Sequence, residues 1–513
     1  MQAFGFDTPN PKLNPPFKWE FPIWPRITLE PEFVKVLVVC DGGISYSTDP
    51  YGFSIGVALQ DAFDISHDEH PRYARFEFTK AHRHNGVEGV TAGYDNFRFN
   101  ANSLDDFDEL WLFGVEAGDR QNTYLSDDEV EVIHNFMDAG GGVLAMGDHE
   151  DLGLGLCAGI KRVRSMRKWW HDGKIPQGME KAPDSTNLTR NDTVQCPPSG
   201  TQDDAIPQPI YPKYYCAYPF WQPWWQCRKY PHQILSGPRG TITVLPDHAH
   251  EGDCIIPNAK FASEYPGNVP VEIVAQGRNV IGRHKGGYTI CDPREFGLIG
   301  VWDGHKPAAN QGRVVVDSTW HHWFNLNLKG LRDQGGDNYN DILAYFRNVA
   351  SWIAPKLKQF AMRRGALRII WLIPSRVEVL LKMNDFRPDD FYSLGLEARK
   401  ALGKIASPCQ SAAWFSEIVS QFFPEGAINM ARRDRFEGVH NLVEAATLEA
   451  LSTTVFGGVV NAIAIEMNSR GLENWDSWDN EFDSAVKKGG NLGLEAASQQ
   501  LNKVPINLKA LLG

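Results

Sequence analysis

The segment from Ser126 to Glu150 constrains the fold more than any other part of the chain. It opens with Ser126-Asp-Asp-Glu129. There a serine hydroxyl can accept from the amide three residues on, and the glutamate can reach back to the serine amide. A helix opened this way runs to Ala139 and stops at Gly140-Gly-Gly142. A short apolar strand, Val143-Leu-Ala-Met146, follows and ends in Gly147-Asp-His-Glu150. A helix feeding a strand buried on both faces is the unit from which helix-covered parallel sheets are built.

Other stretches repeat the unit. Val34 to Cys40 is an apolar run that ends in Asp41-Gly-Gly43, and Phe53 to Phe63 has helical spacing. Tyr73 to Phe78 alternates as a strand does, and Glu109 to Gly114 reads as another buried strand. Further strands are expected over Thr241–Leu245, Val271–Ala275, Phe296–Trp302 and Arg313–Ser318, with a closing helix over Asn338–Ile353. Together these predict an α/β domain over residues 32–358 with a doubly wound, mostly parallel sheet. Such sheets bind ligands just past the carboxyl ends of their strands. Asp41, Glu116 and the 147–151 loop all lie at predicted ends.

The remaining segments differ in character. Residues 1–31 carry many prolines and read as an extended arm, without the basic and apolar regions of a signal peptide. Residues 170–232 form a long insertion rich in Pro, Trp and Tyr, suited to packing on the sheet or to covering a site. From residue 359 the spacing becomes helical, over about 365–383, 389–422, 436–468 and 479–501, and predicts a separate α-helical domain. Its apolar helices would suit a homo-oligomer. The chain has 513 residues and a formal net charge of -12, which argues against nucleic-acid partners and anionic membranes. No apolar run reaches the ~20 residues that span a bilayer. Leu451 to Met467 comes nearest, but it holds Asn461 and Glu466 and reads as a buried helix. A cytoplasmic protein is expected, with most of the eight cysteines as interior thiols.

The stretch from Ala139 to His149 resembles the corresponding unit of class I glutamine amidotransferase-like proteins, and the trehalose-utilisation (ThuA-like) branch is the nearest match. Pro231-His-Gln-Ile-Leu-Ser-Gly237 is similar to that branch's His-Pro-Ile-x-x-Gly segment. Gly312-Arg-Val-Val-Val-Asp-Ser-Thr-Trp-His321 is similar to its final Gly-Arg-Val strand and histidine. The resemblance covers residues 32–358 and implies a flavodoxin-like sheet and a link to sugar metabolism. True glutamine amidotransferases carry a cysteine at the elbow, where this chain reads Met146-Gly-Asp-His149. Cys157 falls too late to replace it, so thiolate-based glutamine hydrolysis is not expected.

Ionisable residues concentrate at the predicted strand ends. They include Asp148, His149 and Glu150; Asp247, His248, His250 and Glu251; Asp303 and His305; and His321 and His322, with Trp320 beside the last pair. Three functional classes follow. In the first, His248-x-His250 and His149 hold a divalent metal, zinc or iron, and Glu251 or Glu150 serves as base. The alternative for that pair is bonding to neighbouring carboxylates and backbone. In the second, Asp148 acts without metal as nucleophile or base, with His321 as acid/base partner. The alternative for Asp148 is a helix cap. In the third, the domain only binds a small ligand and the helical tail carries oligomerisation or signalling. Asp41, Glu116, Asp303, His305, Trp320 and His322 are expected to shape the substrate pocket. The favoured expectation is a hydrolase acting on a polar, carbohydrate-related small molecule.

Overall fold

Val34, Val36, Val38 and Cys40 face one side of the first strand, Leu37 and Val39 face the other, and all are fully buried. That strand, β1 (Glu32–Cys40), is parallel to β2 (Ala74–His82) and to β3 (Glu109–Phe113), and β3 is parallel to β4 (Gly142–Met146). Trp111, Phe113, Leu144 and Met146 join the first face, while Leu110, Leu112, Val143 and Ala145 join the second. The computed structural model describes residues 31–64, 73–117, 125–171, 175–183, 205–217, 228–237, 240–246, 251–279, 294–306, 310–369, 388–405, 439–470 and 479–512, with a few positions between 411 and 422.

Helices cover both faces. α1 (Gly56–Phe63) lies on the first face. α2 (Asp127–Asp138) and the short α3 (Leu154–Cys157) lie on the second, through Ile133, Met137, Leu156 and Cys157. α4 (Asn325–Gln334) and α5 (Asp337–Ile353) return to the first face. The sheet is completed by β5 (Tyr211–Pro212), β6 (Glu272–Asn279), β7 (Arg294–Trp302) and β8 (Val314–Asp317). Its order is β2-β1-β3-β4-β8-β7-β6-β5.

β8 runs parallel to β4, but β7 runs antiparallel to β8, and β6 antiparallel to β7. This reversal corrects one expectation about the site. Trp302 pairs with Val314 at the start of β8, so Asp303 and His305 leave β7 at the opposite rim from the other predicted site residues. There Asp303 accepts from Arg313 Nε at 2.7 Å. The expected strand Thr241–Leu245 is also absent from the sheet. Its ends form two small ribbons, Gly240–Thr241 with Ser236–Gly237 and Val244–Leu245 with Gln208–Pro209. The arm 1–30 and the aromatic stretch 218–227 lie outside the described residues.

The C-terminal helices are α6 (Lys356–Ile369), α7 (Pro388–Ile405), α8 (Val439–Arg470) and α9 (Asp479–Leu512). Their buried residues, among them Leu394, Phe456, Val459 and Phe482, extend the first core cluster. Gly395 and Gly457 let α7 and α8 touch backbone to backbone, and Gly458 and Gly489 do so for α8 and α9; a Cβ at Gly457 or Gly458 would overlap a carbonyl of its neighbour. Among the described residues, no helix is long and apolar enough to cross a membrane. Cys40, Cys157 and Cys254 are free and buried, and burial pushes each thiol well up.

The capping box forms as the sequence implies. Ser126 Oγ accepts from the Glu129 amide at 3.3 Å, and Glu129 Oε2 accepts from the Ser126 amide at 3.0 Å. Glu129 also accepts from the Phe99 amide at 3.0 Å and pairs with Arg83, which is 1% exposed. Burial alone would raise the Glu129 carboxyl, but Arg83 and the amides hold it below its ordinary range. Ser126→Ala should therefore cost about 1 kcal/mol. Glu129→Ala strands a buried guanidinium and should cost about 3–5 kcal/mol in urea unfolding. Equal losses in the two variants would show that the Arg83 pair contributes nothing beyond the cap.

Candidate functional site

The register sets Cys40 beside His82 and Phe113, Phe113 beside Met146, and Met146 beside Asp317. These residues form one row across the parallel half of the sheet, and each runs into a polar loop. The chain leaves β1 for β2 on one side and returns to β3 on the other. Such a reversal opens a crevice between the two loops. A cleft of about 510 Å³ lies there, lined by Gly42, Gly43, His84, Val115, Glu116 and Leu152.

Asp41 builds this cleft from beneath. Its Oδ1 accepts from the amides of Val115 at 2.5 Å and Glu116 at 3.2 Å, tying the β1 loop to the β3 loop. Gly42 has φ +57°, and a Cβ there would strike the Val115 side chain, so the turn requires glycine. Burial pushes the Asp41 carboxyl up to about 7, and the charge of Glu116 adds to the effect. Glu116 Oε1 lies 3.5 Å from His84 Nε2. Asp41 and Glu116 thus occupy the cleft region that the sequence suggested, and His84 joins them.

The second cluster sits on the β4 and β8 loops. Gly114 and Gly153 pack without side chains between them, which lets the loops after β3 and β4 meet. Asp148 is 0% exposed, and its amide donates to the Leu152 carbonyl at 3.1 Å, so one loop carries both Asp148 and a wall of the cleft. Its Oδ2 lies 3.6 Å from His321 Nε2 and 3.7 Å from His149 Nε2. His321 Nδ1 is 2.7 Å from Asn327 Oδ1, so an Nδ1 proton donated there leaves Nε2 facing Asp148. Trp320 stacks on Phe324 and lies tilted against His321, with ring centroids at 4.5 and 4.1 Å, beneath the site and not in the cleft wall. Glu150, at φ +55°, lies 3.8 Å from His149 Nδ1 at the loop's outer edge.

The third cluster is buried. His322 Nδ1 is 2.7 Å from Asp317 Oδ1, and its Nε2 is 3.7 Å from Glu251 Oε1. Ser318 Oγ donates to Glu251 Oε2 at 3.3 Å. Asp317 Oδ2 accepts from Tyr345 OH at 2.9 Å and from Trp323 Nε1 at 3.3 Å. Burial works against a charge on His322, but Asp317 and Glu251 outweigh it and raise the imidazole to about 9. His322 and Glu251 therefore brace the rim from inside and do not line the cleft.

Asp41, Glu116, Asp148, His149 and His321 share one rim, whereas Asp303 and His305 occupy the other. His248 and His250 lie outside the described residues. Among the described residues, no group of three or more His, Cys, Asp or Glu side chains could hold a metal ion. Sequence reasoning missed His84, Asn327 and Asp317. His84 had a signal, since β2 continues beyond Phe78 to His82 and so carries His84 to the rim.

The two raised groups act in different pH windows. His322, raised from 6.5 to about 9, adds stability below pH 6.5 that is lost as pH rises through 9. Asp41, raised from 3.8 to about 7, adds stability below pH 3.8 that is lost as pH rises through 7. Above the Asp41 window, urea midpoints should fall between about pH 7.5 and 9 in the wild type and stay level there in His322→Gln. An unchanged slope in that variant would remove His322 as the source. No family model, curated protein or solved structure matches this chain.

Proposed function

We propose that the chain is a hydrolase-like enzyme acting on a polar, carbohydrate-related small molecule, with the cleft as substrate site and Asp148 and His321 as its acid/base pair. The observation that carries this reading is the 3.6 Å approach of Asp148 Oδ2 to His321 Nε2, with Asn327 on the other ring nitrogen. Two ionisable groups that face each other at the end of a sheet suit general acid–base work. Asp148 takes a proton from the attacking water, and the water oxygen bonds to the substrate's electrophilic carbon. His321, as imidazolium, gives its Nε2 proton to the leaving group as the bond from that group to the carbon breaks. Asp148 then returns the proton to His321, which restores the pair.

The parallel half of the sheet has the order β2-β1-β3-β4-β8, the flavodoxin-like order with β8 in fifth place. That order supports assignment to the class I glutamine amidotransferase-like superfamily, in a branch with aspartate where the nucleophilic cysteine would stand. A metal-assisted version would place zinc or iron on His149, His248 and His250. Elemental analysis of the wild type and of the His248→Ala/His250→Ala double variant tests it. Complete enclosure of Asp148 favours one alternative, a catalytically inactive protein that binds a small molecule in the cleft. Ile465 and Leu492, exposed on α8 and α9, are apolar positions through which a homo-oligomer would form.

The test is a screen with p-nitrophenyl esters and glycosides, followed by variants on any substrate that turns over. Asp148→Asn and His321→Gln should each lower kcat by about 10²- to 10⁴-fold with little change in KM. Asn327→Ala should lose less, because it only orients the imidazole. Turnover that survives Asp148→Asn would sink the assignment, and so would binding without turnover on every substrate.

A further inference from the structure

We propose that the cleft between the β1 and β3 loops is a subsite for a small cation, a primary ammonium carried on a polar body, with Glu116 as its counter-charge. This rests on the reading of the cleft as substrate site and adds the charge of what it accepts. Glu116 and His84 are the ionisable side chains among the described residues that line it. Arg83, next to His84 in the chain, is committed elsewhere: its NH2 donates to Glu129 Oε2 at 3.3 Å and its NH1 to the Phe97 carbonyl at 3.2 Å. Glu116 is only 7% exposed, and His84, at 3.5 Å, is half-exposed. A carboxylate so enclosed gains from an incoming cation and repels an anion.

A second observation points the same way. Asp41 is fully buried, and its Oδ1 is bonded to the amides of Val115 and Glu116, which line the cleft. Its Oδ2 makes no hydrogen bond among the described residues. A buried oxygen without a donor is costly and calls for one. An ammonium group supplies three donors, and Glu116 with Asp41 supplies acceptors for them.

The Gly42-Gly43 turn invites a different occupant, a phosphate. Phosphate cradles after a first strand set the anion on a helix N-terminus. Here α1 does not begin until Gly56, well beyond the turn; the Glu116 carboxyl lines the space, and the Asp41 carboxyl lies buried behind the Val115 and Glu116 amides. Asp41 faces Glu116 from the β3 loop, Arg83 from the end of β2, Cys157 from α3 and its neighbour Cys40. Since burial holds its carboxyl near 7, an ammonium that favours the ionised form should bind more tightly as pH rises through that value.

Calorimetric titration of the full chain with glucosamine, glucose and glucuronate tests the proposal, because the three share one ring and differ in charge. Glucosamine should bind at least about tenfold more tightly than glucuronate, with glucose between them. Glu116→Gln should reduce that spread below about threefold, and Asp41→Asn should flatten the pH dependence. Unchanged thermal melts would show that both variants remain folded. Equal affinities, tighter glucuronate, or no glucosamine binding would overturn the proposal. Binding is read without turnover. Charge-selective binding with no hydrolysis would leave this inference standing and remove the hydrolase reading. Hydrolysis with charge-indifferent binding would do the reverse.

Discussion

Asp317 ends β8 with its carboxylate wholly buried, and such a group persists only where donors converge on it. His322, Trp323, Tyr345 and the Thr319 amide all reach it. They come from the β8 loop and from α5, so one charge fixes where the chain turns after the last strand. That turn places His321 against Asp148, because the Trp320 amide donates to the Gly147 carbonyl at 2.9 Å. Arg167 adds a brace across the same loops, donating to the Ser318 carbonyl at 3.1 Å and to the Asp148 carbonyl. The geometry at this rim is thus set by buried electrostatics beneath it.

The parallel strands were legible because their apolar runs are short, nearly continuous and closed by glycine or acidic residues. β3 and β4 read directly from Leu110-Trp-Leu-Phe113 and Val143-Leu-Ala-Met146. The direction of β7 was not legible. A strand buried on both faces has the same composition whether it runs with or against its neighbour, and the 280–293 interval is long enough for either connection. Asp303 and His305 followed that strand to the far rim. The Arg83–Glu129 pair was hidden for another reason: its partners are 46 residues apart, and only the fold brings them together.

Of the candidate site, Asp41, Glu116, Asp148 and His321 were found by one rule, that polar residues just past parallel strand ends converge. The rule says nothing about residues that arrive from helices. Asn327 belongs to α4 and meets His321, six residues earlier and outside that helix, which residue type alone does not signal. Nor does it separate exposed from enclosed groups. His321 and His322 are neighbours in sequence, yet one faces Asp148 and the other is locked between Asp317 and Glu251.

The buried thiols carry a consequence for how the molecule opens. Cys40 ends β1, Cys157 lies under the β4 loop with its Sγ 3.6 Å from the Met146 carbonyl, and Cys254 donates to backbone carbonyls of β7 and β8 at 3.4 Å. A thiol so placed is protonated and shielded, and it reacts with an alkylating reagent only while its own surroundings are open. The three stations span the sheet from β1 to β7. Their modification rates form an internal clock, reading whether this rim breathes loop by loop or comes apart as one unit.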